Sequence, residues 1–174
     1  VLHRDVKSKN ILINGSNVKI GDFGVARELA ETGADKLTVC VGSPQYMSPE
    51  MLSKAPQYDK KTDIWSLGCT CYEMGIGDYA FKGENMQKIR QLVEEKMLPA
   101  MDGTDYCHDT KTLIMRMLQN EPSHRPTTRQ ILEEIKTHRC PTYKDNTLTG
   151  SLKSVAAVSP RMKPVQRIHI PEEK

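Results

Sequence analysis

Two short β-favouring runs, Ile11-Leu12-Ile13 and Val18-Lys19-Ile20, flank Asn14-Gly15-Ser16-Asn17, four residues that favour turns. The pattern predicts a β-hairpin whose return brings residues 10 and 21 close together. From about Lys60 to Gly75, Ile64, Trp65, Leu67, Cys71 and Met74 make an apolar-rich segment that is longer than a strand usually runs and stops at glycine. It predicts a buried helix at the core of the domain. Three later segments have the spacing of amphipathic helices: Met86, Ile89, Leu92 and Val93; Leu113, Ile114, Met117 and Leu118; and Ile131, Leu132 and Ile135. The last also has a start signal, because Thr127 and Gln130 can form a capping box directly after Pro126. No internal repeat is present. A hairpin followed only by helices is a mainly α unit, which excludes a doubly wound nucleotide-binding fold.

Composition narrows the class. The chain has 174 residues, 37% of them apolar and 27% charged, which leaves room for one domain and a tail. Lys plus Arg is 25 and Asp plus Glu is 22, a net charge of +3. Residues 1–139 carry 19 basic and 19 acidic side chains, so the excess lies in residues 140–174, with 6 basic and 3 acidic. That tail holds Pro141, Pro160, Pro164 and Pro171 but neither Trp nor Phe, and it is expected to be a disordered basic linker, solvated rather than bound. So weak a charge, with only Tyr143 able to stack on a base, gives no support for nucleic-acid binding. No run approaches 18 apolar residues, and Val-Leu-His-Arg-Asp at the start has no signal-peptide character, so a membrane span and secretion are disfavoured. Cys40, Cys69, Cys71, Cys107 and Cys140 form no C-x-x-C pair and read as reduced thiols of a cytosolic protein.

The octet His3-Arg4-Asp5-Val6-Lys7-Ser8-Lys9-Asn10 carries the chemistry, and Asp22-Phe23-Gly24 follows twelve residues after Asn10. Phosphoryl transfer needs metal ions on the phosphate oxygens, a carboxylate that orients the attacking hydroxyl, and a cation near the migrating group. Asp5, Asn10, Asp22 and Lys7 are residues of those kinds, and the hairpin lets Asp5 and Asp22 face one space. The pattern H-R-D-x-K-x-x-N followed across a hairpin by D-F-G resembles the catalytic and metal-binding loops of eukaryotic protein kinases. The resemblance implies that Asp5 accepts the substrate hydroxyl proton, that Asn10 and Asp22 hold Mg2+, and that Lys7 steadies the phosphate of ATP. A lysine two residues after the aspartate is the serine/threonine form.

Other stretches extend the likeness. Ser48-Pro49-Glu50 stands where the family has A-P-E, and the resemblance pairs Glu50 with Arg125 of Pro122-Ser123-His124-Arg125-Pro126 in a structural ion pair. Asp63-Ile64-Trp65-Ser66-Leu67-Gly68 is similar to the family's D-x-W-S-x-G helix, which implies that Asp63 braces the catalytic loop. His3, Phe23 and Gly24 are expected as structural support, the two rings joining the apolar stack between the lobes. Between Asp22 and Glu50 lies an activation segment with hydroxyls at Thr32, Thr38, Ser43 and Ser48, and Arg4 is implied as receiver of a phosphate there. Ser43 would dock substrate beside Asp5 and Lys7, and Thr38 and Ser43 are the candidate phosphosites. Val41 to Glu50, V-G-S-P-Q-Y-M-S-P-E, with D-I-W-S-L-G-C-T-C-Y-E-M from Asp63, is similar to the NIMA-related kinases. It departs from them by Ser43 for threonine and by Val39 at the usual activating hydroxyl.

The expected architecture is the C-terminal lobe of the protein-kinase fold over residues 1–139, helical with a short hairpin, α+β in the full domain. Only Val1 and Leu2 precede the octet, so the glycine-rich loop, strand lysine and helix glutamate are not in this chain. The parent protein is expected to be a serine/threonine kinase that takes ATP with its missing N-terminal lobe, acts on proteins and answers to an upstream kinase. The 174-residue chain alone is expected to be inactive. Membrane and nucleic acid are not among its expected partners, and the subgroup resemblance implies a cytoplasmic place, with cytoskeleton or centrosome as further sites. The alternative is a non-catalytic binding fragment that acts through its helical lobe, for which Asp5, Asn10 and Asp22 together have no chemical need.

Overall fold

A computed structural model of the chain describes residues 1–15, 17–24, 35 and 36, 42–53 and 57–137. Its elements, in order, are β1 (Ile11–Asn14), β2 (Asn17–Ile20), β3 (Asp35–Lys36), β4 (Gln57–Tyr58), α1 (Lys60–Ile76), α2 (Met86–Glu94), α3 (His108–Met117) and α4 (Thr128–Thr137). Short 3-10 turns occupy Ser8–Asn10, Pro44–Tyr46 and Pro122–His124. The predicted hairpin is present, antiparallel, with Ile11 opposite Ile20 and Asn14 opposite Asn17. Gly15, at φ 59°, supplies the left-handed step of its turn. As predicted, the hairpin closes at its base, where the Gly21 N–H donates to the Asn10 carbonyl at 2.8 Å. The pairing of β3 with β4, Asp35 opposite Tyr58 and Lys36 opposite Gln57, has no counterpart in the hydrophobic pattern.

Helix α1 is the axis of the lobe. It starts at a capping box in which the Asp59 carboxylate accepts the Lys61 and Thr62 N–H groups at 2.8 and 3.1 Å, while Thr62 Oγ1 accepts the Asp59 N–H at 3.1 Å. Its end lies beyond the predicted glycine. Gly75 remains helical, and Gly77, at φ 79°, is the left-handed cap, its N–H donating to the Glu73 carbonyl at 2.7 Å. Trp65 and Tyr72 are fully buried, and Trp65 stacks on Phe81 with centroids 5.5 Å apart and planes 9° from parallel. Helix α3 lies against α1 at Gly68, where a Cβ would meet Met117 Cβ and Leu118 Cδ2 at 3.0 Å.

The later helices follow their patterns unequally. Ile89 and Val93 of α2 are buried, as are Leu113, Ile114 and Met117 of α3. In α4 only Ile131 is buried, whereas Leu132 and Ile135 are exposed. That helix meets the body through Ile131 and through Arg116 of α3, which pairs with Glu134 at 2.8 Å, so its periodicity overstates the area it covers. The box before it forms as predicted, with the Thr127 N–H donating to Gln130 Oε1 at 2.8 Å and the Gln130 N–H to Thr127 Oγ1 at 3.3 Å. Among the described residues no helix is long and apolar enough to cross a membrane. The tail at 140–174, the boundary after residue 139, Cys40 and Cys140 lie outside the described residues.

Candidate active site

The site is built on the first turn of α1. Asp63 turns its two carboxylate oxygens to the backbone of the octet, accepting the His3 N–H at 2.8 Å and the Arg4 N–H at 2.9 Å. These charge-assisted bonds hold the loop in a conformation that a free chain avoids. Arg4 has φ 67°, a left-handed conformation that costs a non-glycine residue about 1–2 kcal/mol. Asp22 is left-handed too, at φ 58°. Neither follows from residue type, and both sit where the sequence places the chemistry.

His3 joins the two loops. Its Nε2 lies 3.0 Å from the Gly21 carbonyl, and its Nδ1 accepts from the Asp5 N–H at 3.4 Å, an arrangement that the Nε2–H tautomer satisfies. Its ring is tilted against Phe23 with centroids 4.8 Å apart. Phe23 itself is exposed, as are Ile13 and Val18 of the hairpin. The two rings touch each other, and Phe23, Ile13 and Val18 each present apolar surface to solvent.

Asp5 is the centre of a small polar network. Lys7 Nζ donates to Asp5 Oδ2 at 2.5 Å and to Ser43 Oγ at 2.9 Å, and Ser43 Oγ donates to Asp5 Oδ1 at 3.1 Å. The Asn10 amide group donates to the Asp5 carbonyl at 2.9 Å and to Oδ2 at 3.3 Å. Side-chain exposures of 13% for Asp5 and 18% for Lys7 leave the pair largely shielded from water, yet reachable from one side. Gly42 lets the second chain segment come this near: its φ is 117°, and a Cβ there would stand 2.9 Å from the Arg4 carbonyl oxygen.

With its amide nitrogen committed to Asp5, Asn10 keeps its amide oxygen as the group it can offer a cation. Asp22 is exposed, and its Oδ1 accepts the Gly24 N–H at 3.3 Å. An amide oxygen and a carboxylate are hard donors that fit Mg2+ better than zinc. No group of three His, Cys, Asp or Glu side chains able to hold a metal occurs among the described residues.

Glu50 and Arg125 form the expected pair away from the network, bidentate, with both N–O distances 2.7 Å. Burial pushes the Glu50 carboxyl up, but the hydrogen bonds and charge of Arg125 outweigh it, so the group titrates below the usual carboxylate range. Arg125 also donates to the carbonyls of Gln119, Lys61 and Asn120, and its guanidinium lies 5.0 Å from the centre of the Trp65 ring. Sequence reasoning missed Ser66, whose hydroxyl donates to the Tyr46 carbonyl at 2.9 Å and pins the Pro44–Tyr46 turn to α1. A small polar residue inside an apolar helix was the available signal. Thr32 and Thr38 lie outside the described residues.

The structure thus gathers His3, Arg4, Asp5, Lys7, Asn10, Ser43 and Asp63 in one bonded cluster, with Asp22, Phe23 and Gly24 beside it. The family model described as protein kinase domain matches residues 1–135. Among curated relatives, mouse serine/threonine-protein kinase Nek4 is 36% identical over 97% of this chain and 21% of its own length. Human Nek11 is 42% identical over 76% and 20%, and Nek3 of rice is 42% identical over 76% and 22%. The chain spans about a fifth of the length of these relatives. All three are Nek kinases, the group that the stretch from Val41 to Glu50 resembles. A family match over residues 1–135 and a polar network built from the residues of its motifs agree: the chain belongs to the protein kinase domain family.

Proposed function

We propose that the protein carrying this chain is a serine/threonine protein kinase of the NIMA-related type, with Asp5 as its catalytic base. The observation that carries the reading is the network in which Lys7, Ser43 and Asn10 all point donors at Asp5. A substrate hydroxyl that displaces the Ser43 hydroxyl from Oδ1 finds a carboxylate already oriented to receive its proton. In that step the substrate oxygen bonds to the terminal phosphorus of ATP, the bond from phosphorus to ADP breaks, and the hydroxyl proton passes to Asp5. Lys7, within reach of both Asp5 and Ser43, neutralises charge on the migrating group. Members of this family use ATP and Mg2+, and the metal supplies charge neutralisation at the phosphates. Asn10 and Asp22 are the residues that would hold it. Arg4 is the residue that would receive a phosphate from the segment containing Thr38, which makes an upstream activating kinase part of the reading.

The test is phosphate transfer by the full natural protein from γ-labelled ATP to a protein substrate, followed by identification of the labelled amino acid. Asp5→Asn should lower kcat by roughly 10²–10⁴-fold, with label on serine and threonine in the parent enzyme. A variant that keeps its turnover would sink the assignment of Asp5. The exposed apolar Ile13, Val18 and Phe23 favour a second reading, a binding element without catalysis. Under it the natural protein transfers no phosphate, with or without Asp5.

A further inference from the structure

Ser8 follows Lys7 directly and belongs to no step of the reaction above. Its hydroxyl lies 3.1 Å from Glu73 Oε1 of α1 and 3.2 Å from the Tyr46 hydroxyl, while the Tyr46 hydroxyl donates to Glu73 Oε2 at 2.5 Å. Each hydroxyl owns one proton. The very short Tyr46 bond assigns the tyrosine proton to Oε2, and Oε1 then takes the serine proton. Burial, and next the bond to Glu73, push the Tyr46 hydroxyl above its usual range, which keeps that proton in place.

We propose that Ser8 is a positioning residue for the protein substrate, acting through Glu73 and Tyr46. The inference rests on the kinase reading above and deepens it. Two chain segments meet at the site, one with Asp5 and Lys7, the other with Ser43. The first clamp between them, the Asp5–Lys7–Ser43 triangle, opens when a substrate hydroxyl displaces Ser43 from Asp5. The second clamp does not open. Ser8 is one residue from Lys7, Tyr46 is three residues from Ser43, and both hydroxyls end on a single carboxylate of the buried helix α1. Ser8 therefore keeps the catalytic loop in register with the docking segment while the first clamp is open. The surface that it fixes is the one that receives the peptide, whereas the nucleotide side, marked by Asn10 and Asp22, is held by the hairpin base and His3.

The experiment compares the full natural protein with Ser8→Ala, Ser8→Thr and Tyr46→Phe, measuring KM separately for a peptide substrate and for ATP, with Asp5→Asn as control. Ser8→Ala should raise the peptide KM by about tenfold, the effect of one hydrogen bond to a charged acceptor, and leave the ATP KM within about twofold. Ser8→Thr, which keeps the hydroxyl, should restore the peptide KM, and Tyr46→Phe should reproduce the alanine effect. Should Ser8→Ala not fold, the Tyr46→Phe split carries the test. An unchanged peptide KM in Ser8→Ala, or equal rises in both constants, overturns the positioning role. If Asp5→Asn retains full turnover, the kinase reading itself has failed.

Discussion

Replacing Glu50 by alanine leaves Arg125 in place with its charge uncompensated. The Arg125 side chain has no exposed surface, and of its five hydrogen bonds two end on Glu50 and three on backbone carbonyls. The carbonyls solvate the guanidinium, and Trp65 stacks on it, but none of them carries a negative charge. Breaking a buried pair from one side costs about 3–5 kcal/mol. In a unit of this size that corresponds to a fall in Tm of roughly 10–20 °C. Urea unfolding of the purified protein and of Glu50→Ala, followed by Trp65 fluorescence, reads the difference. The pH dependence gives a second handle. Glu50 titrates lower in the folded protein than in the unfolded chain, so its contribution is complete above the unfolded carboxyl value of about 4.3 and is lost as pH falls through the folded one. The gap between parent and variant should therefore be constant near neutrality and close in acid. A loss below about 1 kcal/mol, typical of an exposed pair, would refute the reasoning.

Two further outcomes follow from packing and burial. Gly75→Ala gains about 1 kcal/mol of helix propensity, but its Cβ would stand 2.5 Å from Cε2 of Tyr106, whose hydroxyl is tied to the Cys71 carbonyl at 3.1 Å. Overpacking of about 1–3 kcal/mol should win, and a midpoint of urea unfolding that rises instead of falling would show that the ring moves freely. Burial pushes the Cys71 thiol up to about 11. Alkylation of native Cys71 should therefore accelerate about tenfold for each pH unit from roughly 7 to 10, as thiolate accumulates. A rate that levels off near pH 9, read by mass spectrometry of the labelled peptide, would place the thiol in water.

The hairpin, the long helix and the motif residues were legible because each writes its geometry in neighbouring positions. β-branched runs around Asn14-Gly15, an apolar stretch too long for a strand, and the octet ending at Asn10 are local signals. What stayed hidden depends on distant partners. Nothing in Arg4 or Asp22 announces a left-handed backbone, because the bonds that hold Arg4 so come from Asp63. β3 and β4 are two residues each, too short for alternation to show. The Asp59 box escaped because its third residue inward is Thr62, where the familiar pattern has Glu or Gln. Leu132 and Ile135 are exposed because periodicity tells which side of a helix is apolar and not how much of that side a neighbour reaches.

The brace on the octet comes from a residue made sixty positions later, and Glu50 waits seventy-five positions for Arg125. During synthesis at about 5–20 residues per second, the octet leaves the ribosome several seconds before Asp63 can fix it. Glu50 stays without its counter-ion for a similar interval. Ordering of the loop thus waits at least until Asp63 has been made. The nascent chain therefore carries Asp5, Lys7 and Asn10 before the bonds from Asp63 can hold their loop.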